Sequence, residues 1–463
     1  MAAYYDEFKL EIENGNGGDV AAGYRVRAES RWRNDPVRGR LVMPFAVDEL
    51  RQIRERVEAA VFGSGELDFA GEQEEIVRDF GRQLHDALFA GDIGDLFDEA
   101  VRRSDEIDHH IRVRLATDVA ELISLPWECL VRGDDWLVRR PGLCLVRHIP
   151  DPQGGRKPLE VSEPLRILGM IAHPADRSKL SGVEERQLME IALGDLIDGN
   201  RVELLWTDDG TWEALQRAMG RFKPHVFHFI GHGVFDERRN AGVLALEAGD
   251  GATSEYFDGP DLNLVISGNR RLRLIVLNAC DGAKGDSRAG LSSVAAYLAR
   301  ETTDAVLAMQ WQIEDQSARK FSRSFYSSLI ADGAVDSALD QARVGMFLHG
   351  RSLEWAAPVL YLRSPNGVLF DLDLGAAAET DETPDVGAET EHGSDDLPGD
   401  LDPTEDPRIQ GLVSPSAPVT PEAVAGDDSF VIRFLHDGDS GRYRLSGLHA
   451  ADTTSDEHDV DLD

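Results

Sequence analysis

"VFHFIGHGVF", residues 226–235, is a run of large apolar residues that reads as a strand and ends in glycine, histidine and glycine. Gly231 and Gly233 remove bulk on both sides of His232, so backbone, solvent or a ligand can approach the imidazole. On its own the motif fits a glycine turn with a solvated histidine equally well. A second stretch of the same construction decides between the two readings. "LIVLNACDGAKG", residues 274–285, is a β-branched strand that stops at Cys280, between Ala279 and Gly282. A thiol at one strand end facing a histidine at another can be deprotonated by it, which gives a nucleophile at neutral pH.

Around these two strands the chain alternates strand and helix. "LRILGMIA", "RVELLW", "HVFHFIGH", "LRLIVLNAC", "DAVLAMQW" and "PVLYL" are apolar runs, and "GVEERQLMEIALGDLI" and "TWEALQRAM" between them are amphipathic. Further helices are expected near 286–300 and over 314–348. This alternation predicts an α/β fold with a mostly parallel sheet flanked by helices. Ligands of such sheets sit beyond the carboxyl ends of the strands, where His232 and Cys280 are expected. Upstream, "FKLEIE" and "YRVRAES", separated by "NGNGGDV", predict a hairpin, followed by amphipathic helices from Val47 to about Ala100. "HIRVRLAT" reads as one more strand, and Pro126 and Trp127 as a packed corner.

Composition narrows the function classes. The 463 residues, 42% of them hydrophobic, can fill ordinary cores, and the formal charge of −37 disfavours nucleic acid and anionic membranes as partners. Only 6 of the 48 basic residues are lysine, a balance that suits a salt-accumulating habitat. The cysteines Cys129, Cys144 and Cys280 form no disulfide framework, and no signal peptide or membrane-spanning run is seen, so a cytoplasmic location is expected. Residues 376–463 carry 23 acidic and 4 basic side chains, which predicts a disordered acidic tail. Within it "SFVIRFLHDGDSGRYRLSGL", 429–448, reads as a small hairpin. His225, His228 and His232 have metal-like spacing, but strand alternation sends the first two to opposite faces; no metal site or cofactor is expected.

His232 precedes Cys280 by 48 residues, and N-A-C-D-G at 278–282 departs at two of five positions from the caspase pattern Q-A-C-[RQG]-G. Spacing, order and strand ends together point to a cysteine peptidase. The sequence also resembles the CHAT domains, a caspase-like family. "LPWECL" at 125–130, "FHFIGHG", "VLNACDGA", "GLSSVAAYLARETTDAVLAMQWQIEDQSARKFSRSFYSSL" and "WAAPVLYL" resemble its motifs over roughly 115–365. The resemblance implies a caspase-like sheet, His232 as general base, Cys280 as nucleophile, and the Gly233 and Cys280 amides as oxyanion hole. Asn278, Asp281 and Trp311 are expected to line a substrate pocket. Relatives that cut after Arg or Lys, such as metacaspases, have Asp where this chain has Asn278, so a weaker preference for basic residues is expected unless Asp281, Asp236 or Glu314 supplies the charge.

The resulting division is an N-terminal α+β region (1–115), a CHAT-like domain (116–374, core 160–365), an acidic linker (375–428), a hairpin (429–448) and an acidic tail (449–463). The expected function is hydrolysis of a peptide bond in a protein or peptide substrate by a regulated endopeptidase. A catalytically silent scaffold that recruits partners is the alternative. No tetratricopeptide repeat is visible, so an activating signal would be sensed by the N-terminal region or by an activator protein.

Overall fold

The computed structural model describes residues 4–14, 23–63, 70–140, 142–151, 154–177, 182–239, 241–279, 290–311, 313–350, 353–372, 431–436 and 443–448. The chain divides into two units, Met1–Asp381 and Glu382–Asp463. The first opens with β1 (Tyr5–Glu13), β2 (Tyr24–Ser30) and β3 (Arg33–Leu41), then α1 (Val47–Gly63), α2 (Ala70–Leu88) and α3 (Asp92–Glu106). Next come β4 (His110–Thr117), the short α4 (Ala120–Ile123), β5 (Val131–Arg132), β6 (Asp135–Trp136), β7 (Leu143–His148) and β8 (Leu159–Val161). The alternating part runs β9 (Leu165–Ile171), α5 (Gly182–Asp198), β10 (Val202–Trp206), α6 (Trp212–Phe222) and β11 (Val226–Asp236). It continues with the strands β12 (Ala241–Glu247) and β13 (Ser254–Phe257), then α7 (Gly259–Ile266), β14 (Leu274–Ala279), α8 (Gly290–Glu301) and β15 (Ala305–Met309). Helices α9 (Asp315–Asp332) and α10 (Val335–Gly350) and strands β16 (Pro358–Leu362) and β17 (Phe370–Leu372) close the unit. In the second unit β18 (Val431–His436) and β19 (Tyr443–Leu448) pair antiparallel, where the hairpin is expected.

Among the described residues thirteen strands form one sheet. Its main path is β10-β9-β11-β14-β15-β16-β7-β4-β1-β2-β3, with β12 and β13 branching from β11. The pairs β10/β9, β9/β11, β11/β14 and β14/β15 are parallel. This is the mostly parallel, helix-flanked α/β sheet that the alternation predicts. The reason is visible in β14, whose residues alternate between two cores. Leu274 and Val276 join a cluster with Leu193 of α5 and Phe325 of α9, whereas Ile275, Leu277 and Ala279 join one with Leu215 of α6 and Leu298 of α8. A strand buried on both faces must be apolar throughout.

The N-terminal strands continue this sheet. β4 pairs in parallel with both β1 and β7, and β4 spans residues 115 and 116, where a division is expected. Phe8 of β1, Phe97 of α3 and Leu339 of α10 belong to one core cluster. Arg112 of β4 is buried and bonds Glu7 of β1 (2.6 Å) and Asp336 in the first turn of α10 (2.5 Å from Nε). Residues between β7 and β9 are anchored as well. Arg156 donates to the buried Asp304 at 2.9 Å, and β8 pairs with β17. The tail expected at 375–428 and 449–463 lies outside the described residues. No described helix is long and apolar enough to cross a membrane.

The corner at Pro126–Trp127 is packed as expected, and its acid is the surprise. Glu128 is fully buried and held by Arg147 of β7 through two bonds, Nε to Oε1 at 3.0 Å and Nη2 to Oε2 at 2.6 Å. Arg147 also donates to the Leu125 carbonyl (2.8 Å), and Gln310, just beyond β15, donates to Glu128 (3.3 Å) and to the Ala356 carbonyl (2.7 Å). Removing one partner of such a pair leaves an uncompensated charge in a low dielectric. Glu128→Ala is therefore expected to lower the free energy of unfolding by about 3–5 kcal/mol, measured by urea denaturation, with little dependence on salt. A loss within experimental error would mean that the pair is not what holds the corner.

Candidate active site

β9, β10 and β11 fix where a ligand crevice opens. The chain goes from β9 to its neighbour on one side, β10, and then returns to the other side as β11. The order reverses there, so the crevice lies between the carboxyl ends of β9 and β11. His232 is at this point and is buried, at 1% exposure.

His232 does not end its strand as expected. β11 continues through both glycines to Asp236 because β12 takes over as its partner, with His232 opposite Ala245 and Asp236 opposite Ala241. Among the described residues the parallel pairing with β14 runs from Val226–Leu274 to Gly231–Ala279. The glycines also have a different reason from the one read in the sequence. A Cβ on Gly233 would lie 2.7 Å from Cγ of Leu291 in α8, and one on Gly231 would lie 2.5 Å from the Phe229 ring. They admit neighbouring side chains of the protein itself.

The faces of the sheet sort the other candidates. His228 lies on the α9 side, its Nδ1 2.7 Å from the Tyr326 hydroxyl, and by alternation Ile230 and His232 point the same way. Ile230 is opposite Asn278, which is half-buried, and Asn278 is preceded on that face by Val276 of the α9-side cluster. Trp311, two residues beyond β15, is 4% exposed and belongs to the same cluster as Phe321 and Tyr326, the arrangement of a packing residue. Asp236 accepts the amides of Arg238 (2.8 Å) and Arg239 (3.3 Å). Glu314 is exposed, and its amide at the start of α9 donates to the buried Glu354 at 2.5 Å. Cys280 and Asp281 lie outside the described residues.

His225 and His228 do not join a metal set with His232. His225 is at the opposite end of β11, where its Nδ1 accepts the Arg166 amide at 3.1 Å. Burial, with Arg271 and Arg166 nearby, pushes its pKa down to about 3, and burial alone pushes that of His228 down to about 4.

Two residues of the crevice carry no mark in the sequence. His173, just past β9, has its ring 6.5 Å from that of His232. Glu247, the last residue of β12, accepts the amides of His173 (2.8 Å) and Gly210 (3.2 Å), and so clamps the loops after β9 and β10. The one available signal was the place of "IAHP" at the end of the first strand of an α/β alternation. Glu247 offers none, since its partners are backbone amides 74 and 37 residues away.

The CHAT domain model matches residues 78–363, more than half of the sequence. The chain belongs to the CHAT domain family. A comparison with curated proteins finds no match. Among solved structures, the chain is similar to the Saccharomyces cerevisiae separase–securin complex at 14% identity, TM-score 0.45, over 78% of this chain and 30% of that one. It is also similar to the Arg-specific cysteine proteinase gingipain R, at 10% identity, TM-score 0.39, over 69% of this chain and 76% of that one. This CHAT domain chain thus spans less than a third of the separase chain. The family match covers β4 to β16 together with most of α2 and all of α3, so it too crosses from the N-terminal strands into the alternating part.

The two depressed histidines give the fold a pH dependence of known sign. Below about 6.5 the unfolded chain takes up protons that His225 and His228 refuse when folded, so stability falls as pH falls from about 6.5 towards 4. The slope contributed is up to about 1.4 kcal/mol per pH unit for each histidine. His228→Gln, which keeps a neutral partner for Tyr326, is expected to flatten the dependence in denaturation curves taken across this range. An unchanged slope would show that His228 is not held neutral.

Proposed function

We propose that the chain is a caspase-like cysteine endopeptidase with His232 as general base and Cys280 as nucleophile. The observation that carries this reading is the register of β11 against β14. The last pair among the described residues is Gly231–Ala279, and the residues that follow in the sequence are His232 and Cys280 respectively. Ile230 and Asn278 share the α9 face, to which His232 returns by strand alternation, and Cys280 follows Asn278 by two residues in the sequence. A thiol beside an imidazole loses its proton to it. The thiolate then attacks the carbonyl carbon of the scissile peptide bond, the imidazolium protonates the leaving amine, and water hydrolyses the acyl-enzyme.

The same strand supports a role for the Gly233 amide. The Ile230 carbonyl accepts from the Ala172 amide on the β9 side, at 2.9 Å. Successive residues of a strand turn their backbone groups to alternate sides, so Gly231 and Gly233 turn theirs towards β14. The Gly233 N–H is thereby a fitting donor to the oxyanion, with the Cys280 amide as the second. Asn278, neutral on the site face, favours substrates without a basic residue before the cut. Asp236 accepts two amides and lies 3.6 Å from the Arg239 guanidinium, whose charge offsets its own. Asp281 and Asn278 remain the proposed pocket residues, Trp311 being packed into the α9-side core, and no cofactor is required by this chemistry.

A thiol-reactive peptidyl probe is expected to label the intact chain, in multimolar or in low salt, and not to label Cys280→Ala. Cleavage of a peptide library should vanish in Cys280→Ala and fall by about 10²–10⁴-fold in His232→Ala. The double variant should be no worse than Cys280→Ala, because the two groups act as one unit. Undiminished turnover in either single variant would end the dyad assignment. In the same library a dominant cut after Arg that is lost in Asn278→Ala would overturn the specificity reading.

A further inference from the structure

The end of the sheet opposite the crevice carries an excess of positive charge in a chain whose formal charge is −37. One row of backbone hydrogen bonds crosses the neighbouring strands there, from β10 to β16. The Arg201 carbonyl accepts the Leu165 amide, the Arg166 carbonyl the His225 amide and the His225 carbonyl the Arg273 amide, each at 2.9 Å. The Arg273 carbonyl accepts the Ala305 amide (3.2 Å), and the Asp304 carbonyl accepts the Arg363 amide (2.9 Å). The register of the strands thus sets Arg201, Arg166, Arg273 and Arg363 in line, with the uncharged His225 and with Asp304 between them. At a strand spacing of about 4.8 Å the row is about 24 Å long.

The carboxylates at this end are outnumbered. Asp304 is buried and shared by three guanidinium groups, those of Arg273 (2.9 Å), Arg156 (2.9 Å) and Arg363 (3.6 Å). Glu163 is shared by Arg166 (2.9 Å) and Arg271. The Nε donors of all four arginines in the row find no acceptor among the described residues. Beyond the row, Arg221, Lys223, Arg270 and Arg300 are exposed at the ends of the adjoining helices and loops. Over 151–166, 198–202, 221–226, 268–274, 300–305 and 363–364, the connections at this end hold eleven basic and six acidic side chains. In a chain this acidic, a surface left to solvation alone is expected to carry the opposite sign.

The acceptors already present show what such a surface binds. Besides the two carboxylates they are main-chain carbonyls: Arg156 donates to that of Thr302 (3.3 Å) and Arg363 to that of Arg300 (2.7 Å). An extended acidic peptide displays both kinds of group, and at about 3.3 Å per residue about seven residues span the row. A nucleic-acid strand fits less well. Its bases need exposed aromatic rings to stack on, whereas Phe222 lies under the Arg166 guanidinium, 5.9 Å from the ring centroid, and Phe370 is buried. We propose that the amino end of the sheet docks an extended acidic segment of a partner protein, with the arginine row as its track. The surface lies at the far end of β11 from His232, and the proposal does not depend on the peptidase reading.

The test is fluorescence anisotropy of labelled octaglutamate, octaglutamine and an oligothymidylate of the same length, each titrated with the full chain. Two pairs of substitutions at exposed positions make the same change in net charge: Arg221→Glu with Arg270→Glu beside the row, and Arg33→Glu with Arg38→Glu on β3, at the far edge of the sheet. Octaglutamate is expected to bind saturably and octaglutamine not to bind. The first pair should weaken octaglutamate binding at least about tenfold, and the second by less than about twofold. Absence of saturable octaglutamate binding would overturn the proposal, and so would an equal loss in the two pairs, which would reduce the effect to net charge. Oligothymidylate bound more tightly than octaglutamate, and weakened by the first pair alone, would overturn it in favour of a nucleic-acid surface.

Discussion

The buried pair of Glu128 and Arg147 holds together a sheet that is weakest where it is joined. β7 stands between β16 and β4, and so between the alternating part and the N-terminal strands. Its ladder with β16 consists of two residue pairs, Tyr361–Arg147 and Leu362–His148. Backbone hydrogen bonds over two residues are little to hold two halves of a sheet. The ion pair adds directional bonds in a low dielectric, where neither charge tolerates separation. It also extends across the joint, since Gln310 beyond β15 donates to Glu128 and to the chain at Ala356. The "LPWEC" motif therefore has a mechanical meaning: it seats a carboxylate where β7, the end of β15 and the approach to β16 meet.

That joint bears on the crevice through β15 and β14. Trp311 follows Gln310 directly and is packed into the α9-side core, the face that also receives His228, Ile230 and Asn278. Displacing the corner would be felt along one continuous packed layer, because side chains at interior density do not yield independently. The β12–β13 branch performs a matching task on the other flank. It pairs with the end of β11 and, through Glu247, Ser254 and Tyr256, fixes the segment that carries His173. The crevice is framed by two clamps, one ionic and buried, the other a carboxylate on backbone amides.

The division of labour between strands and loops explains what could be read in advance. The α/β alternation, the apolar strands and the helices over 314–348 were legible because burial on two faces demands an unbroken apolar run and burial on one demands a helical period. The family resemblance was legible for the same reason, as its motifs sit on those strands, on α8 and α9, and at the packed corner. The meaning of the glycines beside His232 was not, because Leu291 and Phe229 approach them from a helix and from the strand itself. The reach of β11 to Asp236 escaped because it depends on β12 as partner, and a sequence carries the pattern of a strand without its neighbour.

The sequence by itself determined the alternation of β9, α5, β10, α6, β11, β14, α8 and β15, the membership of the CHAT family and the choice of His232 as the residue to examine. Periodicity and local chemistry are properties of neighbouring residues, and those are what a chain displays. Only the tertiary structure decided that the N-terminal strands and the alternating part share one sheet and one core. It alone decided that Glu128 meets Arg147, and that His173 and Glu247 stand beside His232. The Glu128–Arg147, His173–His232 and His173–Glu247 contacts join groups 19 to 74 residues apart through backbone amides, buried charges or ring contacts that leave no period in the sequence. The pairing of His173 with His232 is fixed by the switch in strand order, which exists only once the strands have been laid side by side.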